Sequence, residues 1–145
     1  MRRWRSERGA ALLESAIAVP LLLLIAAGIF EFGRAYQTWQ VLTNAAREGA
    51  RVAVLPGGVA GGAEAMARQY MESGRLAEYA TAAVAVDRAV QIMVNGMPQT
   101  ASEVVIDYPF DFVMLQPLAR LVDPQTEAGA PLTMQARALM RNEAQ

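Results

Sequence analysis

The chain contains no cysteine and no histidine, and all 13 of its basic residues are arginine, so lysine is missing as well. Without cysteine there is neither a disulfide framework nor a thiolate nucleophile. The joint absence of His and Cys removes the usual zinc ligands and the commonest general base. Because lysine is absent, the α-amino group is the sole primary amine of the protein. Net charge is −1, and beyond the first eight residues the arginines are interspersed with acids, so there is no basic patch suited to nucleic acid. Asp87, Glu103, Asp107, Asp111 and Asp123 remain as candidates for carboxylate chemistry, but none stands at a spacing that implies a catalytic pair or a metal loop. The expectation is a protein that is not an enzyme and that takes no cofactor and no metal.

What the sequence does contain is one long apolar run, Gly9 to Phe30, in which the single charge is Glu14. About 21 helical residues reach roughly 31 Å, the hydrocarbon thickness of a bilayer, so residues 10–30 are expected to span a membrane. Before them stand Arg2, Arg3, Arg5 and Arg8 against the one acid Glu7. Positive charge on a short flank stays on the cytoplasmic side, which sends the rest of the chain across. Pro20, inside the run, removes one backbone hydrogen bond and favours a kink that a membrane helix tolerates. A secretory signal peptide cleaved near Ala26-Ala27-Gly28 is the alternative, but the run is longer than its usual apolar core and opens on an acid.

A carboxylate within a spanning helix costs about 2.5–3.5 kcal/mol on insertion scales, so Glu14 requires an explanation. It lies near enough to the end of the run to snorkel into the headgroups. Alternatively, the chain is cut before Ala10, and Glu14 neutralises a new α-ammonium within the lipid.

Gly9-Ala10-Ala11-Leu12-Leu13-Glu14, after a basic leader and before an apolar helix, resembles the processing site of type IV-like prepilins. The wider pattern from Arg8 to about Ala53 includes Pro20, Glu31-Phe32-Gly33 and Ala46-Arg47-Glu48-Gly49-Ala50-Arg51, and it resembles the TadE-like family of tight-adherence (Flp) pilus pseudopilins. One departure is Ser15, where these prepilins commonly carry an aromatic residue. The resemblance implies cleavage by a prepilin peptidase after Gly9, with residues 1–9 as leader and Glu14 paired to the mature amine of a neighbouring subunit. It further implies an inner-membrane protein with a periplasmic domain. Its expected partners are the Flp-type major pilin, other pseudopilins, the pilus assembly platform and the lipid bilayer. An unprocessed single-span protein with a periplasmic partner-binding domain is the alternative.

Residues 31–145 are enough for one modest extracytoplasmic domain that buries about 60–65% of its unfolded surface. Ile29, Phe32, Tyr36, Trp39, Leu42, Ala46, Ala50 and Ala53 recur at helical spacing, which predicts that the helix continues over residues 31–54. Tyr36 and Trp39 either mark a headgroup belt or pack on the domain. Glu31–Arg34 and Glu48–Arg51 read as i,i+3 pairs on a solvated face. Ala46, Gly49, Ala50 and Ala53 form a surface with almost no side chain. Gly49 costs an exposed helix about 1 kcal/mol relative to Ala, so close approach of another backbone is expected there. The partner is the domain's own sheet or a neighbouring subunit, and intrachain packing is the more usual reason for such a glycine.

A Gly-rich turn is expected at 55–62, followed by a short helix from Glu64 that is interrupted at Ser73-Gly74. Strands are read at 83–86, 90–94, 104–108 and 132–140, with Asn95-Gly96 as a hairpin turn and Pro109 marking a strand end or edge. Phe110 to Val122 is an apolar loop or short helix around Pro117, expected to be buried rather than to serve as a partner surface. The closing Met140-Arg141-Asn142-Glu143 after an apolar strand is again similar to TadE-like chains. The expected fold is α+β and pilin-like: a long N-terminal helix packed on a small antiparallel sheet of three or four strands, with a short second helix.

Overall fold

A computed structural model describes residues 3–55 and 61–142. Its elements, in chain order, are α1 (Arg3–Ala53), α2 (Gly62–Ser73), β1 (Ala83–Val94), β2 (Met97–Phe110), α3 (Leu115–Val122) and β3 (Leu132–Arg141). This is the expected α+β architecture. Most of the Gly-rich turn, residues 56–60, lies outside the described residues, as do Met1 and Arg2 of the leader and Glu143 of the terminal motif.

α1 starts at Arg3 and is assigned as helix through Pro20. It therefore takes in residues that are too short to fold by themselves. Once the apolar segment is helical, each preceding residue adds a hydrogen bond without a new nucleation step.

The chain divides into two compact units, Met1–Arg34 with Asp111–Ala130 and Ala35–Phe110 with Pro131–Gln145. The first comprises the apolar part of α1 and the excursion that joins β2 to β3, including α3. Within this excursion Gly129 adopts φ +75, and a Cβ there would lie 2.6 Å from the Gln116 backbone nitrogen, so the 123–130 turn is folded closely over the start of α3. Asp123 shapes that turn, its Oδ1 accepting the Gln125 N–H at 3.0 Å.

The second unit holds a three-stranded antiparallel sheet in the order β1-β2-β3. The β1–β2 hairpin closes on Asn95 and Gly96, both at positive φ (52 and 78), the backbone of a type I′ turn. The two short apolar runs before it form one strand, because a bulge between Asp87 and Val90 absorbs the polar interruption. Side chains satisfy that irregularity: Asp87 Oδ1 accepts the Ala89 N–H, and Asn142 Nδ2 donates to the Arg88 carbonyl. Buried Ser102 completes the arrangement by donating to Asn142 Oδ1 at 2.7 Å.

β2 is the central strand and not an edge, yet its two prolines sit where it has only one neighbour. Pro98 pairs with Met93 before the pairing with β3 starts at Ala101–Arg141, and Pro109 pairs with Thr133 beyond the last β1 pair at Ala83. A missing N–H is tolerated at such positions. Val104, Ile106, Tyr108 and Phe110 form the buried face of β2, beside Ala136 and Ala138 of β3. Register places the large residues opposite small ones, Val104 against Ala138 and Ile106 against Ala136. Leu42, Ala45, Ala46, Ala50 and Ala53 of α1, with Ala63, Ala67 and Met71 of α2, complete this core.

Candidate functional site

From Gly9 to Phe30 α1 is apolar on every side apart from Glu14 and Ser15, and almost uncovered. Leu12, Leu13, Ile17, Leu21, Leu22, Leu23, Ile25 and Ile29 are all exposed. The core helix of a water-soluble protein would be buried, whereas a helix of this length and composition fits a membrane anchor, for which lipid is the solvent. Ser15 is already satisfied within the helix, its Oγ donating to the Ala11 carbonyl at 2.9 Å. Gly9 and Ala10 are exposed, and no Cβ at Gly9 would meet another atom within 4 Å. Glu14 is exposed as well, and no described residue gives it a hydrogen bond or an ion pair. It is a carboxylate set in an apolar surface with no partner supplied by the described chain.

Glu31 behaves differently. Sequence spacing places it on a solvated face, but the structure buries it to 1% exposure. Arg34 Nη1 donates to its Oε2 at 2.7 Å, and the backbone N–H of Met114 donates to Oε1. The same guanidinium reaches the Asp111 carbonyl at 3.3 Å. Burial pushes the carboxyl pKa up, but the Met114 amide, then Arg34, then the Val113 amide pull it further down, so Glu31 titrates below its ordinary value of 4.5. The pair thus fastens residues 111–114 to α1 one residue past the end of the apolar run. The other sequence-read pair, Glu48–Arg51 at 2.9 Å, is solvated as expected.

The small-residue face lies in the second unit, where Ala46, Gly49, Ala50 and Ala53 are buried. A Cβ at Gly49 would stand 3.1 Å from the Ala63 carbonyl oxygen, 3.4 Å from Ala67 Cβ and 3.4 Å from Val104 Cγ1. The close approach is therefore to the first turn of α2 and to β2 of the same chain. Tyr36 and Trp39 remain exposed and lean on each other, with ring centroids 6.3 Å apart at 35°.

Four of the five candidate carboxylates have local structural roles, and Asp111 is exposed. Glu103 pairs with Arg137, Asp107 accepts from Gln135 Nε2 at 2.8 Å, and Asp87 and Asp123 each accept a backbone N–H two residues on. Among the described residues no three acidic side chains converge in a metal-binding group.

The apolar part of α1, with Glu14 five residues past Gly9, and the small-residue face lie along one helix. Residues 9–51 match the family of TadE-like protein. No curated protein and no solved structure matches the chain. The TadE-like segment begins at Gly9 and ends within the small-residue face, so it covers the features just described and leaves the sheet and the 111–130 excursion outside it.

Proposed function

We propose that this chain is a minor pilin-like subunit of a tight-adherence pilus system, cleaved by a prepilin peptidase after Gly9. Glu14 then pairs with the mature N-terminal amine of a neighbouring subunit during assembly. The observation that carries this reading is the coincidence of the TadE-like match, which starts at Gly9, with an apolar helix whose one internal acid has no partner among the described residues. The anchor holds the subunit in the inner membrane, with the basic flank cytoplasmic and the sheet-bearing unit periplasmic. Assembly moves its lipid-facing surface into a bundle of like helices. In that bundle an isolated carboxylate is unfavourable, whereas one beside an ammonium is far less so, and removing one member of a buried pair costs about 3–5 kcal/mol. The charge pair thereby favours one register between subunits. The chain acts as a structural component and not as an enzyme, and its partners are the peptidase, the Flp-type major pilin, other pseudopilins and the assembly platform.

The mature N-terminus tests this reading. Intact mass and labelling of the sole primary amine are measured on membranes from cells with and without the peptidase. A species starting at Ala10 only when the peptidase is present is the expected result. A species starting at Met1 in both would replace the proposal with a plain membrane-anchored binding module, and a start near Gly28 would indicate a secreted domain.

A further inference from the structure

The Glu31 contact has a geometric consequence for the segment it holds. Glu31 follows Phe30, the last residue of the apolar run, at a rise of about 1.5 Å. Its carboxylate accepts the Met114 amide, and its partner Arg34 donates to the Asp111 carbonyl. The backbone of residues 111–114 is thereby held at the level where α1 leaves its apolar stretch. At that level large apolar side chains are exposed on both elements, beside exposed Asp111: Ile29 (70% exposed) and Phe32 (76%) on α1, Val113 (58%) and Met114 (43%) on the excursion. The expectation that this segment is buried in the domain is therefore met only in part. α3 follows at once and is amphipathic, with Leu115 and Leu118 against Gln116 and exposed Arg120.

We propose that Val113, Met114 and the apolar side of α3 enter the headgroup–acyl boundary of the bilayer at the Glu31 end of the span, forming a second membrane contact whose depth Glu31 sets. The occupant of this apolar surface is lipid because the Glu31–Met114 contact holds it one residue past the end of the exposed apolar run of α1, at the level where that run leaves the bilayer. Apolar side chains on a short amphipathic helix, with an arginine on the polar side, have the chemistry of an interfacial segment that sits about 5–10 Å into the boundary. Arg34 and exposed Asp111 supply polar groups at the attachment point. The inference rests on the reading of α1 as the spanning helix.

The lack of native cysteine allows a direct test with single spin labels on the full chain, placed one copy per nanodisc of phosphatidylcholine and phosphatidylglycerol. Labels at Ile17→Cys, Phe32→Cys, Val113→Cys, Met114→Cys and Gln91→Cys are compared for collision with oxygen, which concentrates in lipid, and with a nickel chelate, which stays in water. The labels at 113 and 114 are expected to prefer oxygen, like that at 32, while the label on exposed β1 at 91 prefers nickel. Adding Glu31→Ala should shift the 113 label towards nickel and leave the 17 label unchanged. Nickel preference at 113 and 114, with oxygen preference at 17, overturns the second contact while preserving the span. Shielding of 113 and 114 from both reagents also overturns it, because protein and not lipid would then cover the surface. An unmoved 113 label in the Glu31→Ala background overturns the depth-setting role, and nickel preference at 17 removes the spanning reading itself.

Discussion

Glu31 shows how one side chain can determine a tertiary attachment. An exposed i,i+3 pair is worth a few tenths of a kcal/mol, but Glu31 is fully buried and holds a backbone amide from a distant segment. Replacing it with alanine leaves the Met114 N–H without its acceptor, a loss of about 1–3 kcal/mol. Glu31→Gln keeps a carbonyl oxygen for that amide and should cost less. Its depressed pKa also gives a pH signature. A carboxyl held below its ordinary value in the folded state contributes stability that is fully present above that value and is lost as pH falls through the folded pKa. Urea unfolding of the full chain in detergent between about pH 7 and pH 3 should therefore show an acid-side loss that is smaller in Glu31→Gln. An equal loss in both would exclude Glu31 as its source. This contact was not legible in the sequence, because local spacing pairs Glu31 with Arg34 and no pattern links it to Met114, 83 residues away.

At the level of elements, the end of α2 separates two uses of glycine that commonly coincide. The helix closes with a Schellman arrangement, the Leu76 N–H reaching the Met71 carbonyl at 3.1 Å and the Arg75 N–H reaching that of Glu72 at 2.9 Å. The left-handed position is Arg75, at φ 57, although Gly74 stands directly before it. Gly74 is needed for close approach instead: a Cβ there would lie 2.5 Å from Val41 Cγ1 on α1. Arg75→Gly should therefore stabilise the protein, since a left-handed conformation costs a side-chain-bearing residue about 1–2 kcal/mol. Gly74→Ala should destabilise it despite alanine's better helix propensity, because α1 must shift. Thermal unfolding of the two variants reads the opposite signs, and a stabilising Gly74→Ala would refute the close-packing account. The sequence marked the interruption at Ser73-Gly74 but assigned no cause, since Val41 lies on another helix. The Asn95-Gly96 hairpin was legible because its turn chemistry is local. The bulge at Asp87 was not, since its satisfaction depends on Asn142, 54 residues away from Arg88.

For the whole molecule, Glu14 has no partner among the described residues, and the proposed assembly predicts how its replacement behaves. In the membrane-stored state the acid opposes insertion, so Glu14→Gln should enter the bilayer at least as well as the wild type, given the penalty of about 2.5–3.5 kcal/mol for a central charge. In the assembled state the same change removes the carboxylate that offsets a neighbour's ammonium and leaves that ammonium within a bundle of helices. The two states therefore respond in opposite directions. Membrane-bound protein should be undiminished in Glu14→Gln, while its recovery with other pilus subunits after mild cross-linking should fall. A variant at Gly49, such as Gly49→Leu, should instead lose folding stability by about 1–3 kcal/mol, because the Ala63 carbonyl and Val104 already occupy the space its side chain needs. Its loss of assembly would come with loss of folded protein. Unchanged co-recovery of Glu14→Gln would mean that the mature amine is neutralised elsewhere, and helix packing alone would then have to set the register between subunits.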